Sequence, residues 1–271
     1  MHAKPGDVVA SFGARAAAYA RSDWHRLSAE RLVELCDLPR GCRVLDAATG
    51  TGFVAVEAAR AVGAGGLVVG VDVSAGMLRE ARRAVDAAGL TNVELIEGDA
   101  VHLAQFGPAT FDAITCGTGL LYMSPAEALR EWFRLLKVGG LLAFSTVGAG
   151  SPAGARLFRE CAARLGMQLR DPCAPLGTTA ACRSVLVQSG FDVTQVVSEA
   201  VSLSPGDVAN GWESNFKSAS HPELRGLGAT DRDRLRRDYL EALARQESTA
   251  PGTLAQVTVL YALARRGLTP V

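Results

Sequence analysis

Along the chain, short runs of consecutive apolar residues alternate with stretches in which apolar residues return every three or four positions. The first kind reads as buried strand and the second as one-sided helix. Strands are predicted over 42–46, 67–72, 93–96, 111–116 and 141–147, with helices between them over 53–62, 75–88 and 125–136. Ser124–Pro125 makes a good start for the last of these helices, since proline at the first turn loses no hydrogen bond. "KVGG" at 137–140 is expected to end it. Ahead of this region, 10–37 reads as two helical segments broken near Ser22–Asp23. Leu27, Leu32 and Leu35 fall at helical spacing in the second, and "LPRG" stops it.

Strand and helix in alternation imply right-handed crossovers and a parallel sheet covered on both faces. The unbroken apolar run "GLLAFSTV" agrees, because a strand buried on both sides has no polar face to alternate. Residues 191–197 offer a sixth strand and 254–263 a seventh. Two stretches break the rhythm. Residues 148–190 carry two helices instead of one, and 204–252 insert a polar, helix-prone segment before the last strand. Loops that long within an α/β unit are usually functional. The charged run "ATDRDRLRRDYLEALARQE" reads either as a solvated amphipathic helix or as a cap over a site.

Composition narrows the partners. Among 271 residues, 28 Lys and Arg balance 28 Asp and Glu, which removes any bulk attraction to nucleic acid or anionic lipid. The N-terminal residues show no signal-type apolar run and no segment approaches a membrane span, so a cytoplasmic protein is expected. The six cysteines form no C-x-x-C pair and no zinc spacing with histidine; reduced, mostly buried thiols and no metal are expected.

In an open parallel sheet, ligands bind beyond the carboxyl ends of the strands. Asp46 ends the first strand, Asp72 the second, and Asp99 follows the third. One such acid could simply cap the next helix, and at Asp72 that role competes with Ser74. Three in succession bring a row of carboxylates to one rim. Between the first acid and the next helix lies "AATGTG", with Gly50 and Gly52.

The pattern from Gly50 to Ala55 also fits a dinucleotide fingerprint, with Asp72 placed to bind a ribose. A carboxylate at Asp46, however, would repel a pyrophosphate on the adjacent turn by several kcal/mol at intermediate dielectric. A cationic, phosphate-free adenosine derivative turns that repulsion into attraction. S-adenosyl-L-methionine is such a ligand. Asp46 would bias the rim toward its ammonium, and Gly50 and Gly52 would let backbone approach the methionine part. Asp72 would accept the ribose hydroxyls, Asp99 the adenine amine, and Met77 would flank the purine.

With these residues in place, the chain resembles a class I S-adenosylmethionine-dependent methyltransferase. "VLDAATGTG", "VVGVDVSAGMLREAR", "NVELIEGDA", "FDAITCGTGLLYM" and "LKVGGLLAFST" follow the family's order over residues 42–147, with wording nearest the ubiquinone/menaquinone-biosynthesis-like branch. The resemblance implies a Rossmann-like sheet of seven mostly parallel strands with helices on both faces. It implies one domain over 1–271, divided into an N-terminal helical lid (1–40), a cofactor core (41–147), an acceptor-side cap with the sixth strand (148–252) and the last strand (253–271). It also implies that Val73 and Ala100 flank the adenosyl group, that Cys116 and Gly117 line the methionine side, and that Tyr19 covers the cofactor from the lid. Two positions depart from the family pattern. Ala48 stands where many members have a glycine, and it keeps the turn if φ there is negative; Val138 stands where proline is usual.

Methyl transfer needs alignment and exclusion of water, and a base only where the acceptor must lose a proton. Tyr122, after the fourth strand, and His25, beside Trp24 in the lid, are the candidate catalytic residues; His102 and His221 rank below them. The expected acceptor is a small, largely apolar, quinone-like or secondary-metabolite molecule, methylated at oxygen or carbon. A cyclase or isomerase that retains the cofactor is the alternative, and an NAD-type oxidoreductase is disfavoured by Asp46. Nucleic acid and membrane are not expected partners; a homo-oligomer is compatible with the sequence.

Overall fold

A computed structural model describes residues 5–218 and 220–267. Helices α1 (Pro5–Tyr19) and α2 (Asp23–Cys36) precede β1 (Arg43–Ala47). There follow α3 (Phe53–Val62), β2 (Leu67–Asp72), α4 (Ala75–Ala87), β3 (Val93–Glu97), β4 (Phe111–Gly117), α5 (Pro125–Leu135) and β5 (Leu136–Val147). The remainder comprises α6 (Ala153–Arg164), α7 (Thr179–Gln188), β6 (Phe191–Ser202), α8 (Pro205–Ala209), α9 (Gly211–Phe216), α10 (Ala229–Thr249) and β7 (Gln256–Arg266).

The seven strands form one sheet in the order β3-β2-β1-β4-β5-β7-β6. The first five pair in parallel, and β7 runs antiparallel to both β5 and β6. The order reverses at β1, whose neighbours are β2 and β4, so a crevice opens beyond their carboxyl ends. One face of the sheet packs on α2 and α3 through Leu32, Val33, Val54, Ala58 and Val62. The other packs on α5 and α7 through Leu129, Trp132, Phe133, Cys182 and Leu186. A third, separate core joins α6 to α10 around Phe158, Leu235 and Tyr239.

Two local expectations are corrected, and one open reading is decided. Helix α5 ends at Leu135, and Lys137–Gly140 already lies in β5, with Gly139 at φ 74° and the register against β4 shifting between Phe111 and Ala113. "KVGG" is therefore an irregular strand entry, in which Lys137 binds Asp112 at 2.6 Å. Ala48 sits at φ 55°, in the left-handed region, instead of the negative φ expected. An L-residue there costs about 1–2 kcal/mol. The charged helix α10 lies on α6, and none of 148–252 lines the main cavity described next. It buries its own apolar stripe instead of roofing that cavity. All six cysteines are unpaired and all but Cys42 are buried, as the sequence suggests.

Candidate functional site

A cavity of about 390 Å³ opens at the carboxyl ends of β1, β2 and β4. Its wall is built by local backbone demands at each strand end. After β1 the chain turns through Ala48 (φ 55°) and Gly50 (φ 57°), and after β4 through Thr118 (φ 55°). Two non-glycine residues held in a strained conformation, both lining one cavity, are the kind of outlier that collects at functional sites.

The three acids occupy different levels. Asp46 is fully buried on the cavity floor, its Oδ2 accepting from Thr49 Oγ1 at 2.6 Å and its Oδ1 from Thr115 Oγ1 at 3.0 Å. Burial pushes its carboxyl up to about 7, against the pull of the two threonine hydroxyls. Asp72 bridges two loops: Oδ2 accepts from the Gly50 N–H and Oδ1 from the Ser74 N–H, each at 2.9 Å. Burial raises its pKa while these two donors lower it. Ser74, not Asp72, caps α4, its hydroxyl accepting from Met77 N–H at 3.3 Å, so the carboxylate stays on the rim. Asp99 is exposed, its Oδ1 taking the Val101 N–H at 2.9 Å and its Oδ2 lying 3.2 Å from His102 Nδ1.

Aromatic residues close the other side. Tyr19, His25 and Phe12 come from α1 and α2, and Tyr122 from the turn after β4. Phe12 meets Tyr122 edge-on at 4.9 Å and Tyr19 at 6.1 Å, and the His25 ring lies 3.9 Å from Tyr19 and 3.6 Å from Trp24. Burial pushes Tyr19 and Tyr122 up, and holds His25 down at about 3, so the imidazole is neutral.

Of the sequence-derived residues, Tyr19, His25, Asp46, Ala48, Gly50, Asp72, Val73, Met77, Asp99, Ala100, Gly117 and Tyr122 all line this cavity. Two do not. Gly52 sits at φ 86° and packs against α4, where a Cβ would meet Ala81 Cβ at 3.1 Å, so conformation and helix packing both call for glycine there. The Cys116 side chain points into the sheet core, where burial pushes the thiol up to about 12. The sequence reading passed over Phe12, Ser28, Phe53, Thr51, Thr118, Glu127 and Ser145. Phe12 stands seven residues before Tyr19, and Ser28 three after His25, so helical spacing alone could have found both.

Among the described residues, the lining contains four carboxylates, from Asp46, Asp72, Asp99 and Glu127, and no lysine or arginine. A dinucleotide's phosphates would meet like charge there; a sulfonium and an ammonium would meet opposite charge. Thr51 Oγ1, buried in the wall, has no hydrogen-bond partner within the protein and suits a polar ligand group. The residues present thus fit S-adenosylmethionine. Among the described residues there is no cluster of His, Cys, Asp and Glu fit for a metal, and no helix long and apolar enough to cross a membrane.

Comparison with known proteins agrees. Residues 44–140 match the methyltransferase domain family. Demethylmenaquinone methyltransferase of Listeria welshimeri is 40% identical over 112 residues, which are 41% of this chain and 47% of that protein. The chain thus spans about half the length of the curated relatives it matches. Geranyl diphosphate C-methyltransferase of Streptomyces coelicolor A3(2), solved with S-adenosyl-L-homocysteine, shares the fold at TM-score 0.53 and 18% identity over 89% of this chain and 78% of that one. The [4+2]-cyclase SpnF superposes at TM-score 0.54 and 25% identity, over 89% of this chain and 82% of that one. Residues 44–140 thus carry a methyltransferase domain, set in the fold that these solved structures share. The same stretch is similar to the ubiquinone/menaquinone biosynthesis C-methyltransferase UbiE of Cronobacter sakazakii, 39% identical over 120 residues, which are 44% of this chain and 47% of that protein.

Proposed function

We propose that this protein transfers a methyl group from S-adenosylmethionine to oxygen or carbon of a small, largely apolar, quinone-like acceptor. The observation that carries the reading is the cavity itself: acids on floor and rim, aromatics on the lid, and no cationic side chain in the lining. When bound, the cofactor supplies a methyl group on a good leaving group. The chain's own contribution is then alignment and exclusion of water.

In this reading Asp72 accepts the ribose hydroxyls with the lone pairs left over from Gly50 and Ser74. Asp99 and Ala100 hold the adenine edge, Val73 and Met77 its faces. Gly50, Ala48, Gly117 and the Thr51 hydroxyl face the methionine part, Asp46 attracts its ammonium from below, and Tyr19 covers it. Tyr122 and His25 stand on the acceptor side. The whole chain acts as one unit, with residues 1–40 as lid and 148–252 as a buttress behind it. The unpaired thiols suit a reducing cytoplasm.

Calorimetry with S-adenosylhomocysteine tests the cofactor half: micromolar binding that is lost in Asp72→Ala is expected, and no binding by either protein would end the proposal. Mass spectrometry of products tests the other half. A gain of one methyl supports transfer, whereas rearrangement without mass gain would assign the chain to cyclases that keep the cofactor.

A further inference from the structure

Ser22 stands at the N-cap position of α2 yet makes no capping bond to its own helix. A serine there ordinarily contributes about 1 kcal/mol by accepting from the second or third helical N–H. Its hydroxyl is committed elsewhere. It donates to Asp207 Oδ1 at 2.8 Å, and it lies 2.8 Å from His25 Nδ1. Asp207 belongs to α8, 185 residues further along the chain, and is oriented independently. Its Oδ2 accepts from the Ser204 N–H at 3.1 Å and hydroxyl at 2.9 Å, which leaves Oδ1 for Ser22.

The directions of these bonds fix a tautomer. Ser22 has a single proton, and a carboxylate can only accept. With that proton on Asp207, the Ser22 oxygen must accept from His25, so Nδ1 carries the N–H and Nε2 the lone pair. The ring cannot easily turn away, being held between Tyr19 and Trp24. Nε2 has no bonding partner within the protein. It is nevertheless absent from the buried, unpartnered polar atoms, which are Arg43 Nε, Thr51 Oγ1, Thr146 Oγ1, His221 Nδ1 and Arg266 Nε among the described residues. The atom is therefore accessible to solvent or ligand, and His25 lines the cavity.

We propose that Ser22 and Asp207 are positioning residues that hold His25 as the Nδ1–H tautomer, so that Nε2 receives a hydroxyl of the acceptor. This rests on the methyltransferase reading above and narrows it: the acceptor is a phenol, enol or hydroquinol. As the hydroxyl oxygen uses a lone pair to form the new C–O bond, its proton passes to Nε2. The electron pair of the broken C–S bond stays on sulfur. The positive charge thus leaves the sulfonium and arrives on the imidazolium. Burial, aided by the charge of Arg15, keeps the imidazole neutral at rest, so the lone pair is available. Asp207, through Ser22, offsets the charge that forms in the reaction.

Nitrogen-15 NMR of histidine-labelled protein, loaded with S-adenosylhomocysteine, reads the tautomer directly. Wild-type His25 should show a protonated Nδ1 and a bare Nε2. Ser22→Ala should shift most of the population to Nε2–H, and Ser22→Thr should restore the wild-type pattern. An Nε2–H tautomer in the wild type, or no shift in a folded Ser22→Ala, would overturn the positioning role. Asp207→Ala should give the Ser22→Ala spectrum if the relay extends to the carboxylate; an unchanged spectrum would remove Asp207 from it. Titration with 1-naphthol should move the Nε2 resonance while 1-methoxynaphthalene should not, and equal responses would refute the hydroxyl-acceptor class. Calorimetry of S-adenosylhomocysteine on the same samples separates the two levels. Binding retained with the wrong tautomer refutes only this inference, whereas no binding in any protein refutes the parent reading.

Discussion

Asp72 Oδ2 accepts a hydrogen bond from the Gly50 N–H at 2.9 Å, tying the end of β2 to the turn that follows β1. The same carboxylate takes the Ser74 N–H on its other oxygen. One side chain therefore shapes both loops that flank the cavity. Asp72→Ala should lower affinity for S-adenosylhomocysteine about 100-fold, out of the micromolar range, since two ribose hydroxyls lose a charged acceptor at about 1.5 kcal/mol each and each 1.4 kcal/mol is tenfold. Asp72→Asn, which can accept on one atom only, should fall between, near about tenfold by the same scale. Equal affinities by calorimetry would remove Asp72 from the site.

The strained turn makes a second prediction. Ala48→Gly relieves about 1–2 kcal/mol of left-handed strain against a glycine entropy penalty of about 0.5–1 kcal/mol. A small rise in Tm is expected. Ala48→Val should lower Tm clearly, because a β-branched residue is poorly tolerated at φ 55°. The neighbouring backbone is also crowded: a Cβ on Gly119 would come within 2.6 Å of the Ala48 Cβ. Thermal melts of the two variants decide it, and a stabilised Ala48→Val would contradict the geometry.

Asp46 gives the stability a pH dependence of defined sign. Its carboxyl is raised from 3.8 to about 7 by burial, so the folded state holds a proton that the unfolded chain has already released. Stability from this group is complete below about pH 4 and is lost as pH rises toward 7, by up to about 4 kcal/mol at 1.36 kcal/mol per unit. Asp46→Asn should abolish that component, which appears as the difference between wild-type and variant melts from pH 4.5 to 8. A cationic ligand favours the charged form, so binding near pH 6.5 should release a proton, measurable as a buffer-dependent calorimetric heat.

The α6–α10 core predicts a separable cap. Tyr239 is buried among Phe158 and Trp212, and Tyr239→Ala should destabilise this region by about 3–5 kcal/mol as other large-to-small aromatic changes do. No residue of this core lines the main cavity. Affinity for S-adenosylhomocysteine should stay within about twofold while hydrogen exchange in α10 accelerates. Joint loss of both would show that the cap and the cofactor site fold as one.

Residues 67–72 were legible as β2 to the residue, because a strand buried on both faces has an unbroken apolar run ending in the functional acid. The acids at 46, 72 and 99 were legible for the same reason: strand ends are local features. At Gly52 the motif announces a glycine without saying which neighbour needs the space. That neighbour is Ala81, 29 residues later. Cys116 and Gly117 end the same strand, yet the Cys116 side chain joins the core while Gly117 lines the cavity, since successive residues of a strand face opposite ways.

The periodicities and the strand-end carboxylates, both of them short-range, are enough to name the sheet, its helices and the charge of its ligand. Distance along the chain hides the rest. Ser22 meets Asp207, Phe12 meets Tyr122, and α10 lies on α6 instead of the cavity because folding brings remote surfaces together to bury apolar area and satisfy single hydrogen bonds. Those encounters carry no local pattern, and the tautomer of His25 follows from one of them.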